Sequence, residues 1–168
     1  MTEPNSPGQI RAATLDDAAS IAQFQINMAL ETEEKTLLPD VVLPAVQSVF
    51  SDASKGFYLV AEAEGQVVGS LMVTYEWSDW RNSNMWYIQS VFVEADFRGR
   101  GLFTAMYHEV IRRAKADQAM FVRLYVETEN ERAQKIYESL GMKRMPYYMY
   151  DVRVDSYSSR SVAAAGSS

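Results

Sequence analysis

The sequence predicts a single mixed α/β domain: a mixed, mostly antiparallel sheet flanked by about four helices. Three observations predict it. Segments with helical apolar spacing precede and follow a block of β-branched and aromatic segments. Short hairpin signals inside that block imply antiparallel neighbours, and a strand–helix–strand run in the second half implies a right-handed parallel crossover. The chain has 168 residues, 48% of them hydrophobic and 23% charged, enough for one packed core.

The elements follow in order. Residues 1–8, with Pro4, Pro7 and Gly8, read as a loose arm, and the domain spans 9–153. "QIRAAT" is a strand. Thr14 and Asp17 form a capping pair, and Ala18, Ile21, Ala22, Met28 and Ala29 mark the helix that follows. A second helix runs from about Leu43 to Asp52, with Pro44 in its first turn and an apolar stripe through Val42, Ala45, Val46, Val49 and Phe50. "GFYLVAEA" and "QVVGSLMVTYE" form a hairpin around "EG", and "NMWYIQSVFVE" is a third strand of that block. "YEWSDWRN" reads as a loop between strands. Phe103, Met106, Tyr107, Val110, Ile111 and Ala114 give one face of a helix from about Gly101 to Ala116. "AMFVRLYVE" is a strand, and "NERAQKIYESLG" a short helix stopped by Gly141. "KRMPYYMYDVRV" has strand character broken by Pro146. Residues 154–168 are small and polar, the composition of a disordered tail. The order is β-α-α-β-β-β-α-β-α-β.

Composition removes several function classes. The net charge is −6, from 16 basic and 22 acidic residues, which argues against a general nucleic-acid binder. With no cysteine and one histidine, His108, thiolate and multi-histidine metal sites are excluded; no metal is expected. No run approaches the roughly 20 apolar residues of a membrane span, and "MTEPNSPGQ" lacks a basic-then-apolar leader. The expectation is a cytoplasmic protein with no membrane partner.

The stretch "FRGRGLF", between a strand and a strongly periodic helix, carries the sharpest chemical signal. First-turn N–H groups lack intrahelical partners and sit at the positive end of the macrodipole. Gly99 and Gly101 allow close backbone approach, and Arg98 and Arg100 add donors and charge. A pyrophosphate suits that combination. The Walker and dinucleotide-binding glycine spacings are both absent.

"VFVEADFRGRGLF" followed by "VETENERAQKIYESLGM" resembles the GNAT superfamily of acyl-CoA-dependent N-acetyltransferases. The first half matches [Q/R]-x-x-G-x-[G/A] through Arg98 and Gly101, with Phe103 standing where that pattern has a small residue. The second half matches N-x-x-A-x-x-[I/L/F]-Y-x-x-x-G-[F/M] through Asn130, Ala133, Ile136, Tyr137, Gly141 and Met142. The resemblance implies a sheet splayed between strands 4 and 5, with the strand holding Val91, Phe92 and Val93 parting from the one holding Leu124 to Val126. Acetyl-CoA would lie in that gap. Arg98, Gly99, Arg100, Gly101, Leu102 and Phe103 would hold its pyrophosphate, Asn130 and Ala133 would flank its pantetheine arm, and Tyr137 would be the general acid. From periodicity alone Tyr137 is equally a core tyrosine, and Asn130 and Thr128 compete as helix caps.

The resemblance implies transfer of an acetyl group to a primary amine by direct attack. Glu31, Glu34, Trp77, Asp79, Trp80 and Gln89 are the candidate substrate residues; acid beside aromatics suggests a small cationic acceptor. Protein N-terminal or lysine acetylation, and a non-catalytic acyl-CoA sensor, are the alternatives. Tyr147, Tyr148 and Tyr150 suggest a homodimer.

Overall fold

The structure is a computed structural model that describes residues 8–154. The expected arm and tail fall outside the described residues except for Gly8 and Val154. The chain forms two compact units, one ending at Glu127 and one beginning at Thr128.

The first unit is a five-stranded sheet in the order β1-β2-β3-β4-β5: β1 (Gln9–Ala12), β2 (Phe57–Ala63), β3 (Gln66–Ser78), β4 (Ser83–Val93) and β5 (Val122–Arg123). The first three pairings are antiparallel and β4–β5 is parallel. The β2–β3 hairpin turns through Glu64 and Gly65, both at positive φ, the geometry whose twist matches the flanking strands. Helices α1 (Ala18–Glu33) and α2 (Pro39–Ser51) cover one face, where Ile21, Ala22, Val46 and Val49 pack with Tyr58 and Val60. Leu59, Leu71 and Val73 alternate to the opposite face, and helix α3 (Leu102–Ala116) lies against the sheet with Met106 and Val110 fully buried. The α3 face matches the predicted spacing, and His108 is exposed.

Asp17 anchors the entry to α1. It is buried, accepts the Thr14 N–H at 2.7 Å and takes two bonds from Arg11 at 2.8 and 3.0 Å. Arg11 also donates to Glu62 at 2.9 Å, tying β1, β2 and the helix start together. These bonds hold the Asp17 carboxyl below its ordinary range.

Four expectations need correction. α2 begins at Pro39 rather than Leu43, so Pro44 lies inside the helix instead of in its first turn. Pro39 supplies the preset first position, and Pro44 points its ring from an exposed site. "YEWS" belongs to β3, whose ladder runs to Ser78; only Asp79–Asn82 make the turn. The strand expected over 119–127 shrinks to Val122–Arg123. "KRMPYYMYDVRV" forms no strand among the described residues: Pro146 removes a ladder donor, and Tyr147, Tyr148 and Tyr150 are exposed.

The second unit holds α4 (Glu131–Ser139). Its last turn closes through Met142 N–H to the Tyr137 carbonyl at 3.1 Å, with Gly141 at φ 88°, as expected of a glycine stop.

Candidate active site

The site begins where β4 loses regularity. Ser70 pairs with Phe92, but Met72 pairs with Gln89. Two residues, Ser90 and Val91, therefore oppose Leu71 alone, which is a β-bulge. Ser90 sits at φ 55°, where a bulge of this kind usually has glycine. The extra residue shifts the phase of the strand, so Gln89 and Phe92 share a face although three positions apart. Phe92 consequently stacks on Phe24 of α1, with centroids 5.1 Å apart.

The same stretch of β4 parts from β5. Only Trp86 and Tyr87 pair with Val122 and Arg123, and among the described residues none of 88–93 pairs with β5. The expected splay is present, with Val91, Phe92 and Val93 on the free edge and Leu124 to Val126 outside any strand.

Beyond β4, a short 3-10 turn at Ala95–Phe97 leads to the glycine loop. Gly99 and Gly101 have φ of 75° and 78°, and a Cβ built on either would meet nothing within 4 Å. The glycines are thus required by backbone conformation, and open space lies beside them. Gly101 caps α3 with no side-chain bond, so the first-turn donors of Leu102, Phe103 and Thr104 depend on something outside the helix ladder. This is a polar concavity fit for a diphosphate.

The two arginines brace that loop. The Arg98 Nε donates to the Val93 carbonyl at 2.8 Å, its Nη2 meets Glu31 at 2.7 Å, and its guanidinium lies 5.6 Å from the Phe92 ring centroid. Arg100 donates to the Asp96 carbonyl at 2.9 Å and lies 4.7 Å from the Phe97 ring centroid. Main-chain donors, more than guanidinium groups, form the concave part.

Glu31 therefore comes to the site, but as the partner of Arg98. Glu34 ends α1 in the left-handed conformation and is exposed. Gln89 donates to Thr74 Oγ1 at 2.5 Å on the α1–α2 face. Trp77, Asp79 and Trp80 are not brought to the bulge. They lie at the other end of the β3–β4 hairpin, roughly 25 Å from it at about 3.3 Å per residue.

In the second unit, Asn130 is the α4 cap, its Oδ1 accepting the Ala133 N–H at 3.1 Å. Asn130 wins over Thr128, leaving its Nδ2 as the end that can reach outward. Tyr137 is half-buried on α4, and burial pushes its phenol pKa up.

Two features escaped the sequence. One is the bulge: "VFV" places apolar residues at three consecutive positions, so the phase shift leaves no break in the pattern. The other is a cavity of about 380 Å³ between α1, α2 and the sheet, which reaches Met72 and Ser90. Among the described residues no cluster of three or more acidic or histidine side chains could hold a metal. No described helix is long and apolar enough to cross a membrane.

Comparison with known proteins adds to this geometry. The model of the Acetyltransferase (GNAT) family matches residues 23–142. An uncharacterized N-acetyltransferase of Methanocaldococcus jannaschii is 36% identical over 89 residues, which cover 52% of this chain and 39% of that relative's length. A possible acetyltransferase from Clostridium difficile 630 superposes with a TM-score of 0.81 at 41% identity, over 89% of this chain and 99% of that one. A predicted acetyltransferase of Clostridium acetobutylicum, solved with acetyl-CoA, gives a TM-score of 0.73 at 13% identity over 89% and 97% of the two chains, a likeness of fold alone.

Proposed function

The chain belongs to the acetyltransferase (GNAT) family, and from that premise we propose that it moves an acetyl group from acetyl-CoA to a primary amine. The carrying observation is the uncapped α3 N-terminus with its two left-handed glycines, directly after a bulged strand with a free edge.

The residues present suit coenzyme A. Amides of Gly99 to Phe103 face the diphosphate, and the free edge of Val91 to Val93 offers N–H and C=O groups to the peptide-like amides of the pantetheine arm. Arg98 and Arg100 hold the loop in shape, while Asn130 and Ala133 are proposed contacts of that arm by their place in the motif. The bound thioester supplies an activated acetyl group.

An alkyl ammonium has a pKa of about 10.4, so presenting it neutral at pH 7 costs about 4–5 kcal/mol. The amine nitrogen attacks the acetyl carbon, the new N–C bond forms as the C–S bond breaks, and the amine's proton leaves through water. Tyr137 is proposed to donate its phenolic proton to the departing sulfur and to regain one from solvent. Its raised pKa supports that role, because the phenol stays protonated.

The cationic acceptor expected from the sequence drew on acid beside aromatics. That support weakens, since Glu31 is engaged by Arg98 and the Trp77–Trp80 turn lies far along the hairpin. The exposure of Tyr147, Tyr148 and Tyr150 supports the proposed homodimer, which light scattering decides. The main test is a coenzyme A titration followed on the amides of residues 99–103, together with thiol release from acetyl-CoA over an amine panel. Unmoved amides would remove the proposal.

A further inference from the structure

The α1–α2 cavity has a chemistry of its own. Its α2 wall is aliphatic, with Val42, Val46 and Val49, and Met72 of β3 adds to the apolar lining. It also reaches Ser90, the bulge residue on the strand with the free edge. No carboxylate lines it. The one charged lining residue is Lys55, already paired with Asp52 at 2.5 Å. Gln25, on α1, also lines it, and the Gln25 Nε2 is buried with no hydrogen-bond partner among the described residues. A buried carboxamide donor without an acceptor is a group waiting for an oxygen.

We infer that this cavity takes the non-reacting part of the acceptor, and that the acceptor is a small monoamine with an apolar body and a carbonyl or carboxylate oxygen, in the manner of a hydrophobic amino acid or its amide. The inference rests on the acetyltransferase reading and names its substrate class. Three considerations carry it. The volume lies at the small end of ligand pockets, about 300–1,000 Å³, which suits one amino-acid-sized molecule. The apolar wall rewards an aliphatic or aromatic body. A polyamine would bury a second ammonium beside valines and Lys55 with no counter-charge, whereas an acceptor oxygen satisfies Gln25.

The test uses the full chain and two variants. Gln25→Leu removes the donor at similar size. Ala45→Trp fills the cavity from an exposed position on α2, so the buried valines stay untouched. Thiol release is measured with leucine, methionine and phenylalaninamide against putrescine and spermidine. The expected result is a preference for the monoamines, with kcat/KM for the best of them falling at least tenfold in both variants while coenzyme A affinity stays within twofold. A second readout needs no turnover: N-acetyl-leucinamide added to the free protein shifts the Gln25 side-chain amide resonance, and Ala45→Trp abolishes that shift. Preference for spermidine, wild-type kcat/KM in both variants, or an unmoved Gln25 resonance overturns the inference. Failure of coenzyme A to bind would instead strike the acetyltransferase reading, and the Gln25 resonance would still decide whether the cavity takes such a molecule.

Discussion

Replacing Gly101 by alanine separates backbone conformation from steric crowding. Its φ is 78°, and an added Cβ meets nothing within 4 Å, so the substitution introduces strain without a clash. A left-handed L-residue costs about 1–2 kcal/mol, and the stiffer unfolded chain returns about 0.4–1 kcal/mol. The net loss of stability is about 0.5–1.5 kcal/mol. Gly65, in the β2–β3 turn, has φ 77° and equally empty surroundings, so Gly65→Ala costs the same and serves as the control. The two differ in function. A loop that relieves strain at position 101 rotates its amides away from the diphosphate, and losing one hydrogen bond to a charged group costs about 1.5–3 kcal/mol. The coenzyme A Kd of Gly101→Ala therefore rises about 10–100-fold, while that of Gly65→Ala stays within twofold. Urea unfolding gives the stability pair and calorimetry the affinity pair. Equal affinities in the two variants would refute the assignment of the loop amides.

Tyr137→Phe is expected to lower kcat by about 10²–10⁴ with coenzyme A affinity unchanged, measured by thiol release and calorimetry. Because burial raises the Tyr137 pKa, the wild-type rate shows no alkaline fall due to this group below about pH 10. Asp17→Asn removes the buried partner of Arg11 and costs about 1.5–3 kcal/mol at pH 7. The folded pKa of Asp17 lies below its unfolded value, so its contribution is complete above about pH 5 and fades as pH falls toward the folded pKa. The gap between wild type and Asp17→Asn in denaturant midpoints must narrow in acid. Gly56→Ala is expected to cost more than about 4 kcal/mol or to prevent folding, since its Cβ would lie 2.0 Å from the Val73 carbonyl oxygen; circular dichroism melting reads this directly.

Legibility in the sequence followed the range of the forces involved. The α3 face, the Glu64–Gly65 hairpin and the Gly141 stop were readable because spacing and backbone freedom are local properties. The glycine loop was readable for the same reason, although the engagement of Arg98 with Glu31, 67 positions away, was not. α2 was misplaced at its start because Pro44 looked like a first-turn proline, and Pro39 supplied that function five residues earlier. Trp77 and Trp80 looked like walls of an acceptor site, but nothing local reveals how far along a hairpin a residue will lie. The cavity at Gln25 depends on two helices and three strands meeting, and a lone glutamine in an amphipathic helix gives no hint of it.

The supernumerary residue in β4 makes that strand sensitive to length more than to identity. Many side chains can stand at position 90, but removing any one residue between Gln89 and Phe92 would restore simple alternation and turn Phe92 away from Phe24. The Val93 carbonyl that steadies Arg98 would turn with it. A one-residue deletion here would thus misdirect everything downstream that greets the nucleotide end of the donor, and descendants of this chain are free to vary in spelling at this point while remaining fixed in count.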